Sequence, residues 1–193
     1  MNNKLVLSAT VALIFAVSPV LAADKASGGV INFQGMITDT TCTINGGNSN
    51  DLTIALAPIT VEQAKSQGLI EDGKEAFSLE FSNCSFSNSE SLDAGSKALN
   101  INFSSNKIDS TGQFLQSNEK DANGNVKNIG IAIVKQGESN PINLHKAFAV
   151  SDITASTKGV TPVRFYAQYY KPSAAAADAG KITTMVTYSL SYM

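Results

Sequence analysis

The chain has no tryptophan, one histidine (His145), one arginine (Arg164), two cysteines and five prolines in 193 residues. So few imidazole and guanidinium groups leave little for general acid–base or phosphoryl chemistry to use. Charged residues are only 16% of the chain and the formal net charge is −2. No basic field is available to hold nucleic acid or an anionic lipid surface. Hydrophobic residues make up 43%, enough for a packed core, so the low charge does not signal disorder. Helical periodicity is scarce. After the N-terminal region, no apolar run approaches the roughly 20 residues that a membrane helix needs.

The apolar run that does occur opens the chain. Met1-Asn2-Asn3-Lys4 is a short positive segment, Leu5 to Val17 is apolar, and Ser18-Pro19 breaks the run. Val20-Leu21-Ala22 offers a small-residue cleavage site. The pattern is that of a secretory signal peptide over residues 1–22, with Ala23 as the mature N-terminus. Export brings Cys42 and Cys84 into an oxidising compartment, where an even pair reads as one disulfide. Two thiols so far apart, with one distant histidine, lack the spacing of a zinc site.

Period-two alternation recurs along the remainder. Ile31, Phe33, Gly35 and Ile37 share one face. Leu52, Ile54 and Leu56 alternate, as do Phe77, Leu79 and Phe81, then Leu99, Ile101 and Phe103, and Ile129, Ile131 and Ile133. Val163, Phe165, Ala167 and Tyr169 follow, and Ile182, Thr184, Val186, Tyr188, Leu190 and Tyr192 end the chain. Between these runs stand Asn45-Gly46-Gly47-Asn48, Ser110-Thr111-Gly112, Asn123-Gly124-Asn125 and Gln136-Gly137, which supply positive-φ turn positions. Residues 61–68 have room for one helical turn, and the alanines at 174–177 read as a loop. Strands at this spacing without intervening helices predict an all-β sandwich or barrel.

No catalytic constellation emerges. His145 has no nucleophile-elbow serine or cysteine near it. Glu62, Glu71, Asp72, Asp109 and Asp121 fall in turn-like polar segments rather than as an evident facing pair. Gly28-Gly29 is followed by no phosphate-loop signature. The reading is a non-enzyme with no metal and no cofactor.

Both ends of the mature chain resemble a known family. Gly28 to Cys42 is an alternating apolar arm with Gly35 seven residues before the first cysteine. It is similar to the start of chaperone–usher pilins of the type 1 fimbrial class. The C-terminus agrees: Tyr192 is penultimate, Gly180 is fourteenth from the end, and alternation runs between them. Thr161 to Tyr170 is similar to that family's penultimate strand.

The resemblance implies an incomplete immunoglobulin-like β-sandwich that lacks its C-terminal strand, over residues 40–193, preceded by a donor-strand extension over residues 23–39. It implies a structural subunit of a surface fimbria that polymerises by donor-strand exchange and supports cell adhesion. Gly29, Ile31, Phe33, Gly35 and Ile37 would be the donor face. Gly180, Val186, Tyr188, Leu190, Tyr192 and Met193 would form the C-terminal edge bound by chaperone and usher. The implied partners are neighbouring pilin subunits, a periplasmic chaperone and an outer-membrane usher, with no nucleic acid. The implied route runs through the periplasm to the cell surface. The competing reading is a secreted β-sandwich module that binds carbohydrate or protein, although the missing tryptophan weakens a carbohydrate site.

Overall fold

A computed structural model describes residues 41–45, 51–85, 99–150 and 159–192. Its contacts divide the chain into two units, Met1–Met36 and Ile37–Met193. The first unit, the donor face at residues 29–37 and the expected boundary at residues 39 and 40 lie outside the described residues.

The described residues are built from strands: β1 (Thr41–Ile44), β2 (Gly68–Ser85), β3 (Leu99–Ser104), β4 (Leu115–Gln116), β5 (Gly130–Lys135), β6 (Phe148–Val150), β7 (Thr161–Lys171) and β8 (Thr187–Tyr192). They form a five-stranded sheet of order β1-β2-β7-β5-β4 and a three-stranded sheet of order β6-β3-β8. Every strand pair is antiparallel. The fold is an all-β, immunoglobulin-like sandwich: the alternation predicts a sandwich or barrel, and the family resemblance implies the immunoglobulin-like form.

The core is what the inward positions of both sheets supply. Leu79 and Phe81 of β2 and Val163 and Phe165 of β7 meet Leu99 and Ile101 of β3 and Val150 of β6, all essentially inaccessible. Phe165 stacks on Phe77 with ring centroids 5.4 Å apart and takes Phe148 edge-on at 5.8 Å, geometries that aromatic quadrupoles favour. A smaller cluster of Ala64, Ile70, Ile129 and Ala177, with Ile59, Tyr169 and Ile182 against it, closes another part of the body.

Two lysines are buried there, and each has an acceptor. The Lys171 ammonium donates to the Lys65 carbonyl at 2.6 Å, tying the end of β7 to the turn at residues 61–64. The Lys127 ammonium donates to the Ala179 carbonyl. A buried ammonium needs such partners to offset its lost hydration. The turn itself is capped reciprocally: the Thr60 N–H donates to Gln63 Oε1, and the Gln63 N–H donates to Thr60 Oγ1.

Asp109 organises the loop into β4. Its carboxylate, 5% exposed, accepts from the N–H groups of Thr111, Gln113 and Phe114 and from the Thr111 hydroxyl. Gly112 takes a positive φ of 76° at the turn, where a Cβ would collide with Asn143 and His145. Burial pushes the Asp109 carboxyl upward, but these hydrogen bonds outweigh it and hold the group below the usual aspartate range. A depressed folded-state pKa stabilises the protein above the unfolded value of roughly 3.9 and ceases to do so as pH falls through the folded value. Asp109→Ala is therefore expected to cost about 2–4 kcal/mol near neutrality, because it leaves buried N–H donors unpaired. It should also flatten the loss of stability below roughly pH 4. Urea unfolding across that pH range checks both effects.

Candidate functional site

The three-stranded sheet ends abruptly on one side. β8 pairs with β3 from Leu99↔Tyr192 to Ser104↔Thr187, and among the described residues no strand lies on its far side. Burial follows that geometry. Leu99 and Ile101 on central β3 are 0% exposed. Val186, Tyr188 and Leu190 pack against the same core yet remain only half-buried. Apolar side chains at an edge stay half-wet where, as among the described residues here, no strand covers them. The result is a half-buried apolar strip along a strand that has no second ladder partner among the described residues, a surface that invites a strand from another chain.

Leu52, Ile54 and Leu56 carry strand alternation but enter no ladder among the described residues. They belong to a segment that reaches from β8 to the five-stranded sheet. Burial, and after it the negative charge of Asp51, raises the Tyr188 phenol above its ordinary pKa. The Ala57 carbonyl accepts a hydrogen bond from the Tyr169 hydroxyl of β7 at 3.3 Å.

The expected C-terminal edge is thus only partly gathered. Val186, Tyr188 and Leu190 lie together against the core at this edge, and the backbone of Tyr192 ends the ladder opposite Leu99. Gly180 does not join them. It sits in the preceding loop at a φ of 107°, beside the Lys127 ammonium. Met193 lies outside the described residues.

Cys42 on β1 and Cys84 on β2 are joined by a disulfide. Asn83, beside the second cysteine, takes a positive φ of 50°, a feature that its position in an apolar strand gave no reason to expect. His145 is exposed, with its ring Nε2 2.8 Å from the Asp109 carbonyl oxygen, and serves the loop. Glu62 pairs with Lys65 beside the turn at residues 61–64, and Glu71 pairs with Lys74 within the bulge of β2. Among the described residues no group of three or more histidine, cysteine, aspartate or glutamate side chains could hold a metal ion.

Comparison with known proteins shows the class to which this disulfide-bonded sandwich belongs. The sequence profile of the family described as Fimbrial protein matches residues 31–193. The chain belongs to that family and is a structural fimbrial subunit. It is 26% identical over 186 residues to the major fimbrial subunit SMF-1 of Stenotrophomonas maltophilia, covering 93% of this chain and 99% of that one. It is also 26% identical to the F17 fimbrial protein of Escherichia coli over 175 residues, covering 89% of this chain and 91% of that one. Among solved structures it is similar in fold to a chaperone–usher pilus studied for rod uncoiling, with a TM-score of 0.58 at 18% identity, covering 87% of this chain and 97% of that chain. The P pilus rod subunit PapA matches with a TM-score of 0.53 at 18% identity, covering 86% of this chain and 100% of its own. These relatives are structural subunits, not enzymes. They place the chain among proteins that assemble with other pilin subunits into a cell-surface fimbria.

Proposed function

We propose that the groove beside β8 is a strand acceptor and that its final occupant is the N-terminal arm of the next subunit. The observation that carries the reading is the half-burial of Val186, Tyr188 and Leu190 next to a fully buried β3. An arm with Gly29, Ile31, Phe33, Gly35 and Ile37 on one face has the period needed to fill such a groove, since side chains alternate along a strand. Ladder hydrogen bonds then supply affinity, and the alternate side chains set register. Before assembly a periplasmic chaperone occupies the groove, and the exchange takes place at an outer-membrane usher. Residues 1–22 direct export, residues 23–39 donate and residues 40–193 accept. The fibre so built supports adhesion at the cell surface.

Donation and acceptance are separable in this scheme. A chain lacking residues 23–39 should fold with its chaperone and take up a neighbour's arm, but should not extend a fibre through its own. Gly35→Leu should reduce fibre yield more mildly, because overpacking a groove costs roughly 1–3 kcal/mol. Electron microscopy of cells producing each variant checks both. Fibres of undiminished length from the arm-deleted chain would sink the reading.

A further inference from the structure

A cleft of about 620 Å³ opens between the loop into β4, residues 126–128 and the residues at the end of β7 and just after it. Its volume falls within the range of small-molecule sites. None of its lining residues belongs to β3, β6 or β8, so a strand added beside β8 uses none of its walls. Hydrogen bonds between distant segments fix those walls. The Asn128 side chain donates to the Ala175 carbonyl at 2.8 Å and accepts from the Ser173 hydroxyl at 2.9 Å. The Gln67 amide donates to the Pro172 carbonyl at 2.9 Å, and Asp109 holds residues 111–114 from below.

The chemistry of the walls selects a ligand. The two charged residues among them, Asp109 and Lys127, are buried and spend their charge inside the protein, the first on N–H and hydroxyl donors of its own loop and the second on the Ala179 carbonyl. The remaining polar walls are neutral. Gln113 gives its amide oxygen to the Tyr170 hydroxyl, and Gln67 gives its amide nitrogen to Pro172. The first therefore keeps an NH2 donor and the second keeps a C=O acceptor. Beside them is aromatic surface: the Tyr170 ring stacks on Phe114 with centroids 4.9 Å apart. Gly130 makes room for that pair, since a Cβ there would lie 2.6 Å from the Phe114 ring. Val126, 46% exposed, adds an apolar rim.

We propose that this cleft binds a neutral saccharide. A sugar ring carries hydroxyls that both donate and accept, and a C–H face that suits the electron-rich face of an aromatic ring. Gln113, Gln67 and Tyr170 offer that combination, and the Tyr170–Phe114 pair supplies the aromatic surface in a chain without tryptophan. An extended peptide fits less well, because the backbone here is already paired. The Gln116 N–H donates to the Lys107 carbonyl at 2.7 Å and the Asp109 N–H to the Phe114 carbonyl at 3.0 Å, so a peptide strand finds no ladder to extend. One open site of this kind binds weakly. A fibre repeats it once per subunit, and such multivalency raises avidity by roughly 10²–10⁴. The site is independent of the strand-acceptor reading and gives the length of the fibre, not only its assembly edge, a binding role.

The test applies purified fibres of the mature chain to immobilised neutral oligosaccharides ending in glucose, galactose, mannose or an N-acetylhexosamine, with sialylated and sulfated versions beside them. The fibres should bind at least one neutral glycan. Val126→Arg places a long side chain at the mouth of the cleft and should weaken that binding at least roughly tenfold. Gln113→Ala removes the amide donor, keeps the backbone bond to Asp109 and should weaken binding roughly two- to tenfold. Fibre yield should match the parent in both, because both positions are exposed. If Val126→Arg gives no fibres, Gln113→Ala decides. Fibres that bind no neutral glycan, or only sialylated and sulfated ones, overturn the proposal, and so does binding unchanged in these variants. Hydrogen exchange covers the remaining occupant. If residues 109–116 and 126–128 exchange roughly tenfold more slowly in fibres than in the unassembled subunit, with no saccharide present, a neighbouring subunit fills the cleft and the saccharide site is overturned.

Discussion

Fusing residues 30–38 behind Met193 through a flexible linker, on a chain that lacks residues 23–39, should give a soluble monomer. Its melting temperature should lie on the order of 10–20 °C above that of the unfused body. The reasoning starts from Val186, Tyr188 and Leu190, which are already seated on the core but half-wet. A strand laid beside β8 covers them and buries Ile31, Phe33 and Ile37 in return, each worth roughly 1.5–3 kcal/mol on full burial. Ordering the added residues opposes this by roughly 1–2 kcal/mol apiece, a cost that their ladder hydrogen bonds, at roughly 0.5–1.5 kcal/mol each, largely offset. A net gain of about 5 kcal/mol converts to the stated shift at roughly 2–4 °C per kcal/mol for a body of this size. The linker makes insertion intramolecular, with effective concentrations of about millimolar, so the monomer wins over polymerisation. Calorimetry and sedimentation velocity measure the two consequences. An unfused body that is already a stable monomer, unchanged by the added strand, would mean that no groove exists.

The parts of this fold that could be read in advance are those that a local rule decides. Val163, Phe165 and Ala167 alternate inward in sequence and are buried in the sandwich. Gly112, Gly124 and Gly137 were expected at positive φ from their turn contexts and occupy it. The parts that escaped are set by partners distant in sequence. β2 runs from Gly68 to Ser85 through a bulge at Glu71–Lys74, where Glu71-Asp72-Gly73-Lys74 looks like a terminating turn. β4 and β6 are too short, at two and three residues, to show a period.

The last strand was expected to start near Thr183, since Ile182 and Thr184 continue its alternation. The ladder opens only at Thr187, because the residues before it bond elsewhere. The Thr183 carbonyl accepts from the Asn118 N–H at 2.7 Å, and the Met185 carbonyl accepts from the Ser105 hydroxyl at 2.7 Å. The groove follows the same division. Its apolar residues on β8 were legible as a face. That they would be left half-buried depends on which strand lies beside β8, and no periodicity encodes that. Leu52, Ile54 and Leu56 show the converse: the alternation is present, yet no ladder partner for it lies among the described residues.

Replacing Cys42 and Cys84 together by alanine should cost about 4 kcal/mol of subunit stability, and its effect on the fibre should exceed its effect on the core. The thermodynamic part follows from loop closure, since the bond joins residues 42 apart and a loop of that length is worth roughly 4 kcal/mol in the chain-entropy model. The mechanical part follows from position. β1 is four residues long and among the described residues lies at the edge of its sheet and pairs only with β2, and its register slips between Thr41 and Thr43. A strand so short holds weakly by its ladder alone. In the proposed scheme β1 follows directly in sequence on the donor residues 23–39, so tension carried along a donated arm reaches the body there. The disulfide passes that load to β2, which is clamped along β7 from Phe81↔Thr161 to Gly68↔Lys171. Without the bond, β1 should peel first while the Leu79, Phe81, Val163 and Phe165 core persists. Urea unfolding of the subunit should show the loss of about 4 kcal/mol, and shear of assembled fibres should break the double variant into shorter pieces than the parent at equal force. Fibres of equal length after shear, from a subunit destabilised as expected, would separate the two roles and leave the disulfide a folding device alone.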